Sequence, residues 1–68
     1  MNKIFCERLK ELRTENKISQ PELAKMVGVS KGMISFWENA INEPTISNLV
    51  KLCKIFEVSS DYLLGLED

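Results

Sequence analysis

One pattern recurs four times along the chain: an apolar residue, then Ser or Thr, then a second apolar residue four positions further on. Ile18 and Leu23 flank Ser19, Val29 and Ile34 flank Ser30, Pro44 and Leu49 flank Thr45, and Val58 and Leu63 flank Ser59. A hydroxyl at the N-cap accepts from an otherwise unpaired backbone N–H, and apolar residues before the cap and at the fourth helical position clamp together as a staple. The spacing therefore predicts four helix starts. The first carries a full capping box, because Glu22 stands three residues after Ser19. A fifth helix precedes them, with Phe5, Leu9 and Leu12 at helical spacing and Glu7, Glu11 and Glu15 mixed with Arg8 and Lys10 on its outer side. The longest irregular stretch, Ala40 to Pro44, is an ordinary helix-to-helix connection, so no room is left for a sheet. The expectation is an all-α fold of five helices.

The second and third helices carry the most specific pattern. Between Gln20 and Asn39 the residues Leu23, Val27, Val29, Ile34 and Trp37 are apolar, Ala24 is small, and Gly28 marks the turn. A tight turn at a helix end favours glycine, which takes positive φ without a Cβ clash. Ala24 leaves space for the third helix to cross closely. At ~100° per residue, Ile34 and Trp37 define the inner face of the third helix. Gly32, Ser35, Phe36 and Asn39 then fall on the outer face, with Lys31 exposed at its start. Glu38 falls inward, where an unanswered carboxylate is costly. Three residues also have a plainer reading: Lys31 as a solvated lysine, Gln20 as a first-turn residue, Phe36 as an aromatic covered by a neighbouring helix or a second copy.

Composition narrows the classes of function. At 68 residues, 44% hydrophobic and 28% charged, the chain has material for one core, and residues 1–68 are expected to form a single domain. A core this small gains from a partner, which makes a homodimer a reasonable expectation. Histidine is absent, and Cys6 and Cys53 lie far apart, so the pattern offers neither a metal site nor a Cys/His nucleophile, and both cysteines read as small core residues. No glycine-rich phosphate loop or clustered acid pair appears, and no catalytic residue, cofactor or small-molecule ligand is expected. The opening MNKIFCERLK has no signal-peptide core and no run approaches a membrane span, which points to a cytoplasmic protein without a membrane partner. A net charge of -1 and a pI near 5.4 lack the basic excess of most nucleic-acid binders. Any such role must rest on where the charges sit.

The strings ERLKELR, ISQPELAKMVGVS, ISFWEN, EPTISNLVKL and VSSDYLLG, in this order over nearly the whole chain, closely resemble the Cro/C1-type (XRE-like) helix-turn-helix repressors. The resemblance implies a compact five-helix lambda-repressor-like domain that places its third helix in the major groove of double-stranded DNA as a transcriptional regulator. It implies that Lys31, Gly32 and Phe36 occupy the main base-reading positions, with Ser35 beside them and the cap Ser30 ahead of them. Gln20 and Asn39 match positions that contact phosphates, and Arg13 is the residue the family pairs with Glu38. Gln20 also sits at a helix start whose free N–H groups suit an anion. Relatives act as homodimers on half-sites about one helical turn, ~34 Å, apart.

Departures from the family are equally informative. Lys17 stands where many relatives carry glycine, so the first turn either leans on Asn16 or takes up strain. The loop after the third helix, AINEP, lacks the family's basic residues and carries Glu43, and Gly32 brings no side chain to a reading position. These features imply fewer phosphate contacts and a larger part for DNA shape. The acidic balance and the depleted loop also favour an alternative, a protein-interaction module on the same fold, antitoxin-like or anti-repressor in its partner. Tyr62, Leu64 and Leu66 are read either as folded back on the core or as part of a self-association surface.

Overall fold

The computed structural model describes residues 3–67. It contains α1 (Lys3–Glu15), α2 (Gln20–Val27), α3 (Lys31–Glu38), α4 (Ile46–Phe56) and α5 (Ser60–Leu64), and no strand among the described residues. All four hydroxyl caps form as expected: the side chains of Ser19, Ser30, Thr45 and Ser59 accept from the backbone N–H of Glu22, Met33, Asn48 and Tyr62. At Ser19 the box is closed in both directions, since the Ser19 N–H donates to Glu22 Oε1 at 2.9 Å. Those hydrogen bonds lower the Glu22 pKa. The carboxylate is thus ionised at neutral pH, and its part in the cap fades as pH falls through that lowered value.

One core unites the helices. Phe5, Cys6 and Leu9 of α1 meet Leu23, Ala24 and Val27 of α2, Ile34 and Trp37 of α3, Leu52 and Phe56 of α4, and Leu63 of α5. The staple partners Ile18, Val29, Leu49 and Val58 pack against its margin. α2 packs on α3 and α4, while α1 packs on α3 and α5. Truncating any one of the fully enclosed leucines removes ~2–5 kcal/mol from a domain of modest total stability. Cys53 lies half-buried against this cluster, and burial raises its thiol pKa, in keeping with a packing role.

The turns are settled by backbone conformation. Gly28 closes α2 at φ 88 and donates its N–H to Ala24 O. Lys17, at φ 57, adopts the left-handed conformation that glycine would take without strain. The two solutions open to that first turn are used together, because Asn16 Nδ2 also donates to Leu12 O at 2.7 Å. Ala40 at φ 59 and Glu57 at φ 55 are left-handed too, and no local signal in the sequence marks either.

One outer-surface expectation needs correction, and one open alternative divides. Arg8 is not solvated on the outside of α1. Its guanidinium stacks 4.2 Å from the Tyr62 ring centroid, donates to Tyr62 O, and donates to Glu67 O at 2.8 Å. The segment after α5 is thereby held against α1, which divides the Tyr62, Leu64 and Leu66 set. Tyr62 is half-buried beneath Arg8 and Leu64 packs against the core, whereas Leu66 is 73% exposed.

Gly28 and Ala40 offer a paired test of the backbone argument. A Cβ at Gly28 would meet nothing within 4 Å, so Gly28→Ala should lose only the conformational term, ~1–2 kcal/mol. Ala40→Gly relieves the same strain at the price of extra freedom in the unfolded chain, and should gain ~0.5–1 kcal/mol. Urea denaturation of both variants reads the two opposite signs. A loss in Ala40→Gly would mean that its left-handed backbone is not strained.

Candidate nucleic-acid interface

α3 is held so that one side is sealed and the other is open. Ile34 and Trp37 are buried, while Lys31, Gly32 and Phe36 are exposed and Ser35 is half-exposed. Phe36 is 42% exposed. Covering by a neighbouring helix is thus excluded within this chain, and the ring stands on the outer face. Gly32 leaves room for a Cβ, which would meet only Ser30 Oγ, at 3.8 Å.

The start of α3 is open and the start of α2 is largely closed. Ser30 covers the Met33 N–H through its side chain, which leaves the N–H groups of Lys31 and Gly32 as the unpaired donors of the first turn. No acidic residue occupies that turn, so the helix dipole and Lys31 act in the same direction. At α2, by contrast, Pro21 has no N–H and Ser19 Oγ takes that of Glu22. Only the Gln20 N–H stays free there, beside the ionised Glu22. The several free donors expected at Gln20 reduce to one backbone group.

The side chains of the two residues matched to phosphate contacts turn inward or back. Gln20 Nε2 donates to Glu38 Oε1 at 3.1 Å. Asn39 Nδ2 donates to Ser35 O at 2.8 Å and to Ser35 Oγ at 3.3 Å, capping its own helix. Asn39 is nevertheless exposed, as is Ser30.

Behind this face lies the ion pair. Arg13 Nε donates to Glu38 Oε2 at 2.6 Å, and Arg13 Nη2 donates to Glu38 Oε1 at 3.2 Å. The two side chains are 13% and 3% exposed. Arg13 Nη1 also donates to Ile18 O at 2.9 Å. The guanidinium therefore joins α1 to the end of α3 and to the turn entering α2. The inward position of Glu38 follows from its place on the helix. The Gln20 bond does not, because nothing local to residue 20 signals a partner eighteen residues away.

The placement of charge answers the puzzle of an acidic total. From Asn16 to Asn42 the charged residues are Lys17, Lys25 and Lys31 against Glu22 and Glu38, and Glu38 is already paired with Arg13. The other acids are Glu7, Glu11 and Glu15 on exposed positions of α1, Glu43 exposed in the loop after α3, and those beyond residue 56. The sequence pattern did not single out Ile41, Ile46 and Val50, which leave apolar surface exposed. Ile46, at 82%, is the first residue of α4 and points away from the core.

The helix-turn-helix family model matches residues 9–63. The chain belongs to the helix-turn-helix family. Among relatives in the family, the repressor protein C2 of Salmonella phage P22 is 48% identical over 61 residues, covering 90% of this chain and 28% of its own. YobD, an uncharacterized HTH-type transcriptional regulator of Bacillus subtilis, is 35% identical over 65 residues, covering 96% of this chain and 58% of its own. The chain thus spans between about a quarter and three fifths of the length of these two curated relatives. The crystal structure of the P22 c2 repressor in complex with a synthetic operator aligns with a TM-score of 0.87 at 44% identity, covering 93% of this chain and 96% of that one. The helix-turn-helix fold expected from the motifs is the fold observed, and the matched family is one of transcriptional regulators rather than of enzymes.

Two substitution experiments follow from this geometry. Arg13→Ala and Glu38→Ala should each lower folding stability by ~2–4 kcal/mol, with strong coupling in a double-mutant cycle, because each leaves a shielded charge unanswered. Additive losses would show that the two residues are not energetic partners. Phe36→Ala should change stability by under ~1 kcal/mol, against ~3–5 kcal/mol for a core phenylalanine. Thermal unfolding distinguishes these values directly.

Proposed function

We propose that this chain is a sequence-specific double-stranded DNA-binding transcriptional regulator that inserts α3 into the major groove. The observation that carries the reading is the open face of α3. Lys31, Gly32, Ser35 and Phe36 lie on it without an exposed acidic residue among them, in a domain similar to a repressor held on a synthetic operator. Lys31 reaches a guanine edge or a phosphate, and Phe36 makes an apolar contact with a thymine methyl or a sugar. Ser30, Ser35 and the backbone N–H groups of Lys31 and Gly32 bind the backbone near the helix start. Gln20 and Asn39 flank this set as phosphate contacts.

Residues 1–68 act in this reading as one domain, in the cytoplasm, with no catalytic chemistry of its own. The mechanism is occupancy: a bound repressor excludes polymerase. Recognition helices about one turn, ~34 Å, apart suit two copies standing side by side, since the domain measures 28 × 23 × 21 Å between Cα extremes. The homodimer therefore forms on DNA. With few basic side chains around α3, the salt dependence is shallower than in a strongly basic relative.

Selection of bound duplexes from a random pool tests the proposal, and should return a two-fold symmetric site. On that site, Lys31→Ala should weaken binding about three- to tenfold and flatten the slope of log affinity against log salt by about one, with thermal stability unchanged. No enriched duplex, together with capture of a protein partner by the same chain, would establish the protein-interaction module instead.

A further inference from the structure

We infer that Glu38 is a positioning residue for Gln20: its shielded carboxylate takes one amide N–H of Gln20 and so directs the second outward, as a donor to the DNA backbone. This inference rests on the DNA-binding reading above and deepens it, because Glu38 itself faces away from the groove.

The argument begins with the valence of the groups. An ionised carboxylate only accepts hydrogen bonds, so the Gln20 atom 3.1 Å from Glu38 Oε1 is the amide nitrogen and not the oxygen. That settles the orientation of a side chain whose two ends are otherwise nearly alike. The carboxylate itself cannot swing, since Arg13 holds both of its oxygens, at 2.6 and 3.2 Å. Arg13 is fixed in turn by its bond to Ile18 O at 2.9 Å, two residues before Gln20. The amide of Gln20 is thus anchored to the ends of α1 and α3 rather than to its own helix.

An amide nitrogen carries two N–H bonds about 120° apart. One is held by Glu38. Gln20 is half-exposed, and among the described residues its amide has no second partner. At this end of α2 the remaining donors are therefore that second N–H and the Gln20 backbone N–H, because Pro21 has none and Ser19 Oγ covers Glu22. The two donors belong to one residue and are held in one place. A free glutamine at a helix start samples many rotamers, and ordering it on binding weakens affinity. Arg13 already balances the charge of Glu38, so the bond to Gln20 is not needed for neutralisation, and the pair presents no net negative charge to an approaching phosphate.

Glu38→Gln tests this with little change of shape. Arg13 Nε keeps the oxygen of the new amide through the shorter of its two bonds, and the NH2 end, standing where Oε1 was, can no longer accept from Gln20, whose amide loses its anchor. Affinity of the full chain for the selected duplex is measured at fixed salt for wild type, Glu38→Gln, Gln20→Ala and the double variant, each corrected for the folded fraction from parallel unfolding. Each single variant should lose about three- to tenfold, the worth of one hydrogen bond, and the double variant no more than Gln20→Ala alone. Equal losses from Glu38→Gln with and without Gln20 would overturn the inference and make Glu38 merely structural. So would an unchanged affinity in Glu38→Gln.

A second measurement needs no variant. In the NMR spectrum of the free wild-type protein the Gln20 side-chain amide proton held by Glu38 should be displaced from its unstructured position, and addition of the duplex should shift the second while the first stays. Amide protons averaged to unstructured positions in the free protein would overturn the anchoring. Wild type that binds no duplex, with that Gln20 proton still displaced, would overturn the DNA-binding reading and leave the anchor as a structural bond.

Discussion

A carboxylate carried into the interior must be answered there, and the answer given to Glu38 organises the domain. Its inward position follows from its place on α3, on the side of the buried Ile34 and Trp37. Arg13 meets it from α1 with two hydrogen bonds and reaches the Ile18 carbonyl with a third. The three helices that support the open face are thereby joined at one point by directional bonds. Interdigitated core side chains set how these helices cross, and to that packing the ion pair adds directional bonds behind the face that presents Lys31, Gly32 and Phe36.

Other devices act on the approaches to this frame. The capping box at Ser19 and the hydroxyl caps set where α2, α3, α4 and α5 begin, and Lys51 Nζ donates to Val27 O at 3.2 Å, answering a carbonyl at the end of α2. Arg8 performs a similar task at the far side of α1, where it holds the segment after α5 by stacking on Tyr62 and bonding two carbonyls. Two arginines five residues apart on one helix thus serve different ends. Arg13 orients the open face, while Arg8 fastens the chain beyond α5.

What could be read from the sequence was what is local. Each helix start depends on a hydroxyl, a staple and an N–H within five residues, and all four were legible. The inward place of Glu38 and the outward place of Phe36 follow from helical spacing alone. The partner of Glu38 was legible only through family resemblance, since Arg13 is twenty-five residues away. The inward amide of Gln20 and the clasp of Arg8 were not legible, because each depends on helices meeting in space. The left-handed Ala40 and Glu57 were hidden for another reason: alanine and glutamate carry no preference for that conformation, so their backbone is imposed by the packing on either side. Lys17 was marked only because glycine was expected there.

Gly32 has a consequence for how such a domain changes over generations. It occupies a regular helical position on the open face, with no positive φ and no neighbour nearer than 3.8 Å to a would-be Cβ. Glycine in a helix is less stable than almost any alternative by ~0.5–1 kcal/mol. A single codon change can therefore add a new chemical group to the outer surface and strengthen the helix in the same step. Most new binding preferences carry a penalty in folding, but at this position the two move together, so a descendant can acquire a different target without first acquiring a compensating mutation.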